Sequence, residues 1–191
     1  MDFEQYSERV MKFLVNDNRE INYQNRVLIP LLEELLSESD IVDTSTLYKN
    51  WAKRGVDRDA FAGIHTPDIL VAQNWNLLNS SRVEYSMLIE AKTPTASERK
   101  WAISEVKEYL KKVPFVMLTD CITFEFFYKE NGAKYTEIHT LEVGNENEKT
   151  KVCERKTEKN LIALCDEEWE EIKKIIKDRK IRTEANNQIN L

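Results

Sequence analysis

Two short apolar runs, separated by a polar stretch, place the tightest limits on how this chain can fold. Residues 68–72 and 83–91 are rich in aliphatic side chains, and the sequence NWNLLNSS lies between them. This pattern predicts two β-strands joined by a turn. Both strands carry charge where an apolar side chain is expected, because Asp68 opens the first, and Glu90 and Lys92 lie at the end of the second.

These charges predict a metal site. Side chains two residues apart on a strand share a face, so Glu90 and Lys92 should point together. If the strand that begins at Asp68 pairs with this one, two carboxylates come close and repel each other unless a divalent cation lies between them. Carboxylate oxygens, the main-chain carbonyl of Ala91 and water suit Mg²⁺ or Mn²⁺ better than Zn²⁺. The ammonium of Lys92 could then stabilise a pentacoordinate phosphorane, or its neutral amine could accept a proton.

The flanking segments alternate between helical and strand patterns. Helices are predicted over about 3–36, with a break near 16–18 and a kink or boundary at Pro30, over 97–112, and from 166 onward. Further strands are predicted over 115–119, 122–129 and 135–143, with a turn at 131–132. Residues 37–63 show no clear pattern apart from a short helix or strand near 47–51. This order predicts an α/β fold with a mixed central sheet flanked by helices.

Two finer expectations concern packing and domain limits. The apolar stripe of the helix over 97–112 is predicted to comprise Trp101, Ile103, Val106, Tyr109 and Leu110. Residues 1–143 are expected to form the core, and 144–191 a loop, a helix and a tail that pack on the core or extend from it.

Composition excludes several classes of protein. The 191 residues contain 41% hydrophobic and 32% charged residues, without an apolar stretch of membrane-spanning length or a leader-like N-terminus, so a cytoplasmic protein is expected. Cys121, Cys153 and Cys165 lack metal-ligand spacing and are expected to be buried free thiols. His65 and His139 are too few for a typical zinc site. The net charge of −6 disfavours a chain that binds nucleic acid unaided.

Five blocks of sequence carry a family resemblance. The pair Pro67-Asp68, followed by Glu90-Ala91-Lys92, resembles the PD-(D/E)xK nuclease superfamily. The blocks EINYQNRVLIPLL, TPDILV, LIEAKTP, SEVKEYL and FVMLTDCITFEFFYKENG, in this order from Glu20 to Gly132, resemble the N-terminal nuclease domain of type I and single-chain restriction-modification enzymes.

The resemblance implies a restriction-endonuclease-like fold and a set of site residues. Asp68 and Glu90 would bind the metal, and Lys92 would be the catalytic lysine. Glu20 would hold water on the metal or a second ion, and Gln24 lies one helical turn further along the same face.

The later helix departs from the family pattern at one position. A glutamine of the family is Glu105 here, while Lys107 and Tyr109 keep their places. An additional acid could tune the metal affinity or simply face solvent.

The implied function is that of a Mg²⁺-dependent DNA endonuclease, active with Mn²⁺ as a substitute, that serves as the cleavage subunit or module of a restriction or anti-phage system. The chain contains neither a Walker A glycine loop nor a methyl-donor motif. Together with the negative net charge, this predicts that a protein partner, a second copy or a lost part of a larger protein supplies DNA recognition. Two alternatives stay open: a non-catalytic interaction subunit with the same fold, and an RNA-directed nuclease.

Each residue also has a plainer interpretation. Asp68 could be a turn residue after proline, and Glu90 with Lys92 an edge-strand ion pair. His65 is more typical of a loop histidine than of a ligand. Alternation favours a core role over base stacking for the aromatic cluster Phe124, Phe126, Phe127 and Tyr128. Candidates for phosphate contacts are Lys49, Lys53, Arg54 and Arg58.

Overall fold

A computed structural model describes residues 1–45, 67–93, 99–129, 135–142 and 169–178. The helices in these ranges are α1 (Phe3–Asn16), α2 (Glu20–Tyr23), a π-helical segment (Gln24–Leu28), α3 (Ile29–Leu35), α4 (Arg99–Tyr109) and α5 (169–178). The strands are β1 (Asp40–Asp43), β2 (Ile69–Gln73), β3 (Glu84–Ala91), β4 (Phe115–Thr119), β5 (Thr123–Lys129) and β6 (Tyr135–Glu142).

One mixed sheet contains these six strands in chain order. Strands β3 and β4 are parallel and are joined by α4, whereas all other neighbours are antiparallel. The predicted mixed α/β class, with helices flanking a central sheet, is therefore confirmed. Strand β1 was not predicted, because its sequence DIVD holds only two apolar residues and the strand depends on its pairing with β2.

Helices cover both faces of the sheet. One core lies between the sheet and α1, the segment from α2 to α3, and α5; its central side chains include Tyr6, Val27, Leu31, Ile89 and Trp169. A second core lies between the sheet and α4; it includes Leu70, Leu88, Val106, Leu110 and Val116. The alternation along β3 thus sends Leu88 and Ile89 to opposite faces.

The predicted boundary at Pro30 is confirmed, and it takes the form of a π-helical segment. Residues 24–28 widen into π-helix immediately before Pro30, which occupies the first turn of α3. Proline has no amide hydrogen and its ring clashes with the preceding turn, so a regular α-helix cannot continue through it. Gln24 opens the widened segment and is buried at 2% exposure.

The predicted apolar stripe of α4 is wrong at one position, Trp101. Trp101 is 75% exposed, while Ala102, Val106, Tyr109 and Leu110 are buried. Successive residues are about 100° apart around a helix, so the burial of 102, 106 and 109 leaves 101 on the flank. The small Ala102, rather than the larger Trp101, therefore packs on the sheet in this turn.

The hairpin between β4 and β5 is the predicted tight connection at Asp120 and Cys121. Oδ1 of Asp120 accepts the main-chain N–H groups of Ile122 and Thr123 at 3.0 and 2.7 Å, and Cys121 has a φ of 68°. The hydroxyl of Tyr6 donates to the carbonyl of Cys121 at 2.7 Å, which ties α1 to this turn. Cys121 is a buried free thiol, as predicted.

The C-terminal helix predicted from residue 166 is described over 169–178 and packs on α1. Trp169, Ile172 and Ile176 are buried, and the ring centroids of Trp169 and Tyr6 are 4.3 Å apart. The core predictions for Phe124, Phe126 and Phe127 are confirmed, since all three are buried. None of the helices in the described ranges has the length and apolar character that crossing a membrane requires.

Several predictions fall on residues outside the described ranges. These comprise the short element near 47–51, the turn at 131–132, His65, Cys153, Cys165 and the basic residues Lys49, Lys53, Arg54 and Arg58.

Candidate active site

The junction of β2 and β3 brings Asp68 against the backbone on both sides of Glu90. The main-chain N–H of Asp68 donates to the carbonyl of Ile89 at 3.1 Å, and its Oδ2 accepts the main-chain N–H of Ala91 at 2.8 Å. Pairing of Ile69 with Ile89 begins the antiparallel ladder immediately beyond. The strands predicted to carry the two carboxylates are thus neighbours, and Asp68 lies at the end of β3 where Glu90 stands.

Glu90 has a protein partner for each carboxylate oxygen although it is only 5% exposed. Lys92 forms an ion pair with Oε1, and the hydroxyl of Tyr109 on α4 donates to Oε2 at 3.0 Å. Glu90 and Lys92 therefore act on the same side of the strand end, as their spacing predicted. A buried carboxylate needs such donors, because an unpaired one would lose its hydration without replacement.

Helix α2 and the π-helical segment bring two further predicted residues to this point. Nε2 of Gln24 donates to Oε1 of Glu20 at 3.2 Å, which confirms that the two share a helix face. The Gln24 side chain also hydrogen-bonds the carboxyl of Asp68. Glu20 in turn lies near enough to Lys92 to affect its pKa. These contacts join α2 and the π-helical segment to the ends of β2 and β3.

Burial, together with neighbouring charges, raises the pKa values of the two central acids. Burial, and then the charge of Asp68, raise the pKa of Glu90 to about 8, against the opposing effect of Lys92. Burial likewise raises the pKa of Asp68, opposed by its bond from Ala91. The pKa of Lys92 lies above its ordinary value. Burial lowers this pKa, but the negative charges of Glu90, Asp68 and Glu20 raise it more strongly. Lys92 is therefore an ammonium group here.

Helix α4 adds two residues whose place in the site the sequence left open. Tyr109 is buried against Glu90, and burial followed by the charge of Glu90 raises its pKa well above the usual range. Glu105, one turn earlier on the same helix, contributes to the raised pKa values of Asp68 and Glu90. The sequence signal for both was their four-residue spacing, which puts them on one helix face.

Acidic groups outnumber cations in the described part of this site. The carboxyl groups of Glu20, Asp68, Glu90 and Glu105 act on one another or on Lys92, which is the cation that acts on Asp68 and Glu90. Oε1 of Gln24 is buried and has no hydrogen-bond partner among the described residues. This excess of negative charge and oxygen favours a cation over a purely internal ion pair.

The described part of the chain contains no preformed group of three or more His, Cys, Asp or Glu side chains that could hold a metal. Among the described residues, Asp68 and Glu90 therefore lie side by side without a preformed cage of side-chain ligands around them.

Comparison of the chain with protein-family models, with curated proteins and with solved structures finds no match in any of the three.

Proposed function

We propose that this chain is a Mg²⁺-dependent nuclease of the PD-(D/E)xK type with a restriction-endonuclease-like fold. One observation carries the proposal: the carboxyl of Asp68 is hydrogen-bonded to the backbone beside Glu90, whose own carboxylate is ion-paired with Lys92. Two buried acids, of which Asp68 raises the pKa of Glu90, with a lysine alongside, would form a binding site for a divalent cation and a scissile phosphate.

Asp68, Glu90, the main-chain carbonyl of Ala91 and Glu20 would hold Mg²⁺, or Mn²⁺ as its substitute. Bound there, the cation would supply charge neutralisation at the phosphate and would lower the pKa of water. The residues of the chain then have separate tasks. Lys92 stabilises negative charge that develops on the phosphoryl oxygens, because an ammonium gains most when it is held in a dry site. Gln24 holds Asp68 and Glu20 in position through its amide hydrogens.

DNA is the proposed substrate, cut within a restriction or anti-phage system in which this chain is the cleavage subunit or module. The net charge of −6 supports a division of labour, since phosphate binding along a duplex needs clustered cations. A protein partner or a second copy of the chain would supply recognition and most of the affinity for DNA.

Incubation with plasmid, single-stranded DNA and RNA, in Mg²⁺ or Mn²⁺, tests this proposal. The parent chain, assayed alone and together with the products of neighbouring reading frames, should cut DNA only with the metal present. Asp68→Ala or Lys92→Ala should abolish cleavage while circular dichroism stays unchanged. Glu108→Ala is a matched control, because Glu108 is exposed on α4 and paired with Lys111. Cleavage by either site variant at the parent rate would refute the assigned roles, and cleavage of RNA alone would change the substrate class.

A non-catalytic interaction subunit is the second candidate, and one contact favours it. Both oxygens of Glu90 already have protein donors, Lys92 and Tyr109, so the carboxylate is satisfied by the chain itself. Calorimetric titration with Mn²⁺ separates the two functions. Binding that is lost in Glu90→Gln supports the nuclease, whereas no heat of binding in the parent supports the interaction subunit.

A further inference from the structure

Trp101 is unusually accessible for its residue type. Its exposed fraction is 75%, and among the described residues only Leu78, at 65%, joins it as an exposed large hydrophobic side chain. Tryptophan has the largest apolar surface of any side chain, and leaving it in water forgoes the stabilisation that burial would provide. Its position relative to the candidate active site offers a reason for this exposure.

The connection between β3 and β4 places Trp101 at the active-site end of the sheet. Because β3 and β4 are parallel, α4 must run back along the sheet between them. The first turn of α4 therefore lies toward the end where β3 terminates, which is the end that carries Glu90 and Lys92. Leu78, by contrast, lies in the connection between β2 and β3 at the opposite end of the sheet.

Helix spacing puts Trp101 in line with residues that reach the site. Trp101, Glu105 and Tyr109 are four residues apart, so the row that they form runs obliquely from the exposed flank of α4 at Trp101 to its buried face at Tyr109. Tyr109 donates to Glu90, and Glu105 affects both central acids. The helix rises about 1.5 Å per residue, so Trp101 lies about 12 Å from Tyr109 along the helix axis. Its ring is at the solvent-exposed end of this row of three residues.

The sequence beside Trp101 contains cations that suit a polyanionic ligand. Arg99 and Lys100 directly precede it along the chain. Among the described residues, the neighbours of Trp101 on the helix flank are Ser104 and Glu105, so this part of the flank shows a single apolar ring beside polar side chains. A protein interface would instead be expected to show a contiguous apolar patch.

From these observations we infer that Trp101 is a stacking platform for a nucleobase of a single-stranded segment close to the scissile phosphate. The inference deepens the proposed function and takes the class of substrate from it. An indole face stacks on any base, so the contact adds affinity without sequence preference. It also requires an unpaired base, which makes frayed or single-stranded polynucleotide a better ligand than intact duplex.

Binding without cleavage tests this inference directly. Short oligothymidylate with a fluorescent label is titrated with the protein in EDTA, and again in Ca²⁺, while anisotropy reports affinity. Trp101→Ala should weaken binding about 5- to 150-fold, the range expected for loss of one aromatic–base stack, whereas Trp101→Phe should retain most of the affinity. Leu78→Ala is the matched control for removal of an exposed apolar side chain. A second control changes the ligand: an oligomer of the same length with abasic sites should bind the parent protein as weakly as oligothymidylate binds Trp101→Ala.

The inference would be overturned if Trp101→Ala bound oligothymidylate as tightly as Trp101→Phe and the parent, or if the abasic oligomer bound the parent as well as oligothymidylate. Thermal melting of each variant shows that the fold is unchanged. These titrations need no cleavage, so their failure is distinguishable from that of the proposed function. Cleavage of DNA at equal rates by the parent and Trp101→Ala, with equal binding, would refute the stacking role and leave the nuclease standing.

Discussion

Replacing Glu90 by glutamine should remove a large pH dependence of folding stability. The carboxyl of Glu90 has an ordinary pKa of 4.5 in the unfolded chain and about 8 in the folded protein without metal. A carboxyl with a raised pKa binds its proton more tightly in the folded state, so its contribution to stability is fully present below pH 4.5 and is lost as the pH rises toward 8. The amide of glutamine has no proton to lose and keeps a similar shape.

The size of the effect follows from the two pKa values. The slope is about 1.36 kcal/mol per pH unit well inside this interval and half of that at either pKa. The free energy of unfolding should therefore fall by about 4 kcal/mol between pH 4.5 and 8, as an upper limit for a carboxyl this strongly influenced by Asp68. For a chain of 191 residues this corresponds to a decrease of about 10 °C in melting temperature.

Urea denaturation in EDTA, measured at several pH values for the parent and for Glu90→Gln, gives the difference between the two pH profiles. The parent should lose stability relative to the variant as the pH rises, and saturating Mn²⁺ should restore the parent at pH 8 but not the variant. Glu108→Gln, an exposed carboxyl on α4, controls for removal of a charge. Parallel profiles for the parent and Glu90→Gln would show that Glu90 is not a buried, destabilised carboxylate, and the metal-site reasoning would then lose its basis.

Three further substitutions probe the contacts around this site and the cores. Tyr109→Phe should leave Oε2 of Glu90 without its donor and cost about 1–3 kcal/mol at pH 8, measured by urea denaturation; an unchanged midpoint would contradict the contact. Tyr6→Phe should cost about 1 kcal/mol by removing the bond to the carbonyl of Cys121, and equal stability would show that this buried bond contributes nothing. Trp169→Ala should cost about 3–5 kcal/mol because the indole is 2% exposed, and a loss below 1 kcal/mol would argue against packing of α5 on α1.

The strands that formed where predicted share a local cause. Strands β2, β3, β4 and β5 contain consecutive aliphatic or aromatic residues that are buried in the two cores, so composition and period were sufficient. Strand β1 lacked such a run and became a strand through pairing with β2. Trp101 was assigned to the core because it lies within helical spacing of Tyr109, yet the phase of α4 against the sheet selected Ala102 instead.

The contacts of the candidate site likewise fall into those set within one strand or helix and those set by packing between elements. That Glu90 and Lys92 would act on one side of their strand followed from the alternation of side chains alone, and the pairing of Glu20 with Gln24 followed from one helical turn. The bond from Tyr109 to Glu90 spans 19 residues and the bond from Ala91 to Asp68 spans 23, so both exist only because the strands and helices pack.

The sequence by itself determined the order of the helices and of strands β2 to β6, the position of the break before Glu20, and the chemistry available at the end of β3. These features depend on periods of two and about four residues within one element. Tertiary structure decided how deeply Glu90 is buried, which donors reach it, and which side of α4 faces solvent. Those properties depend on the distance between elements that are remote along the chain, and desolvation, which raises the pKa of Glu90, arises only when they pack together.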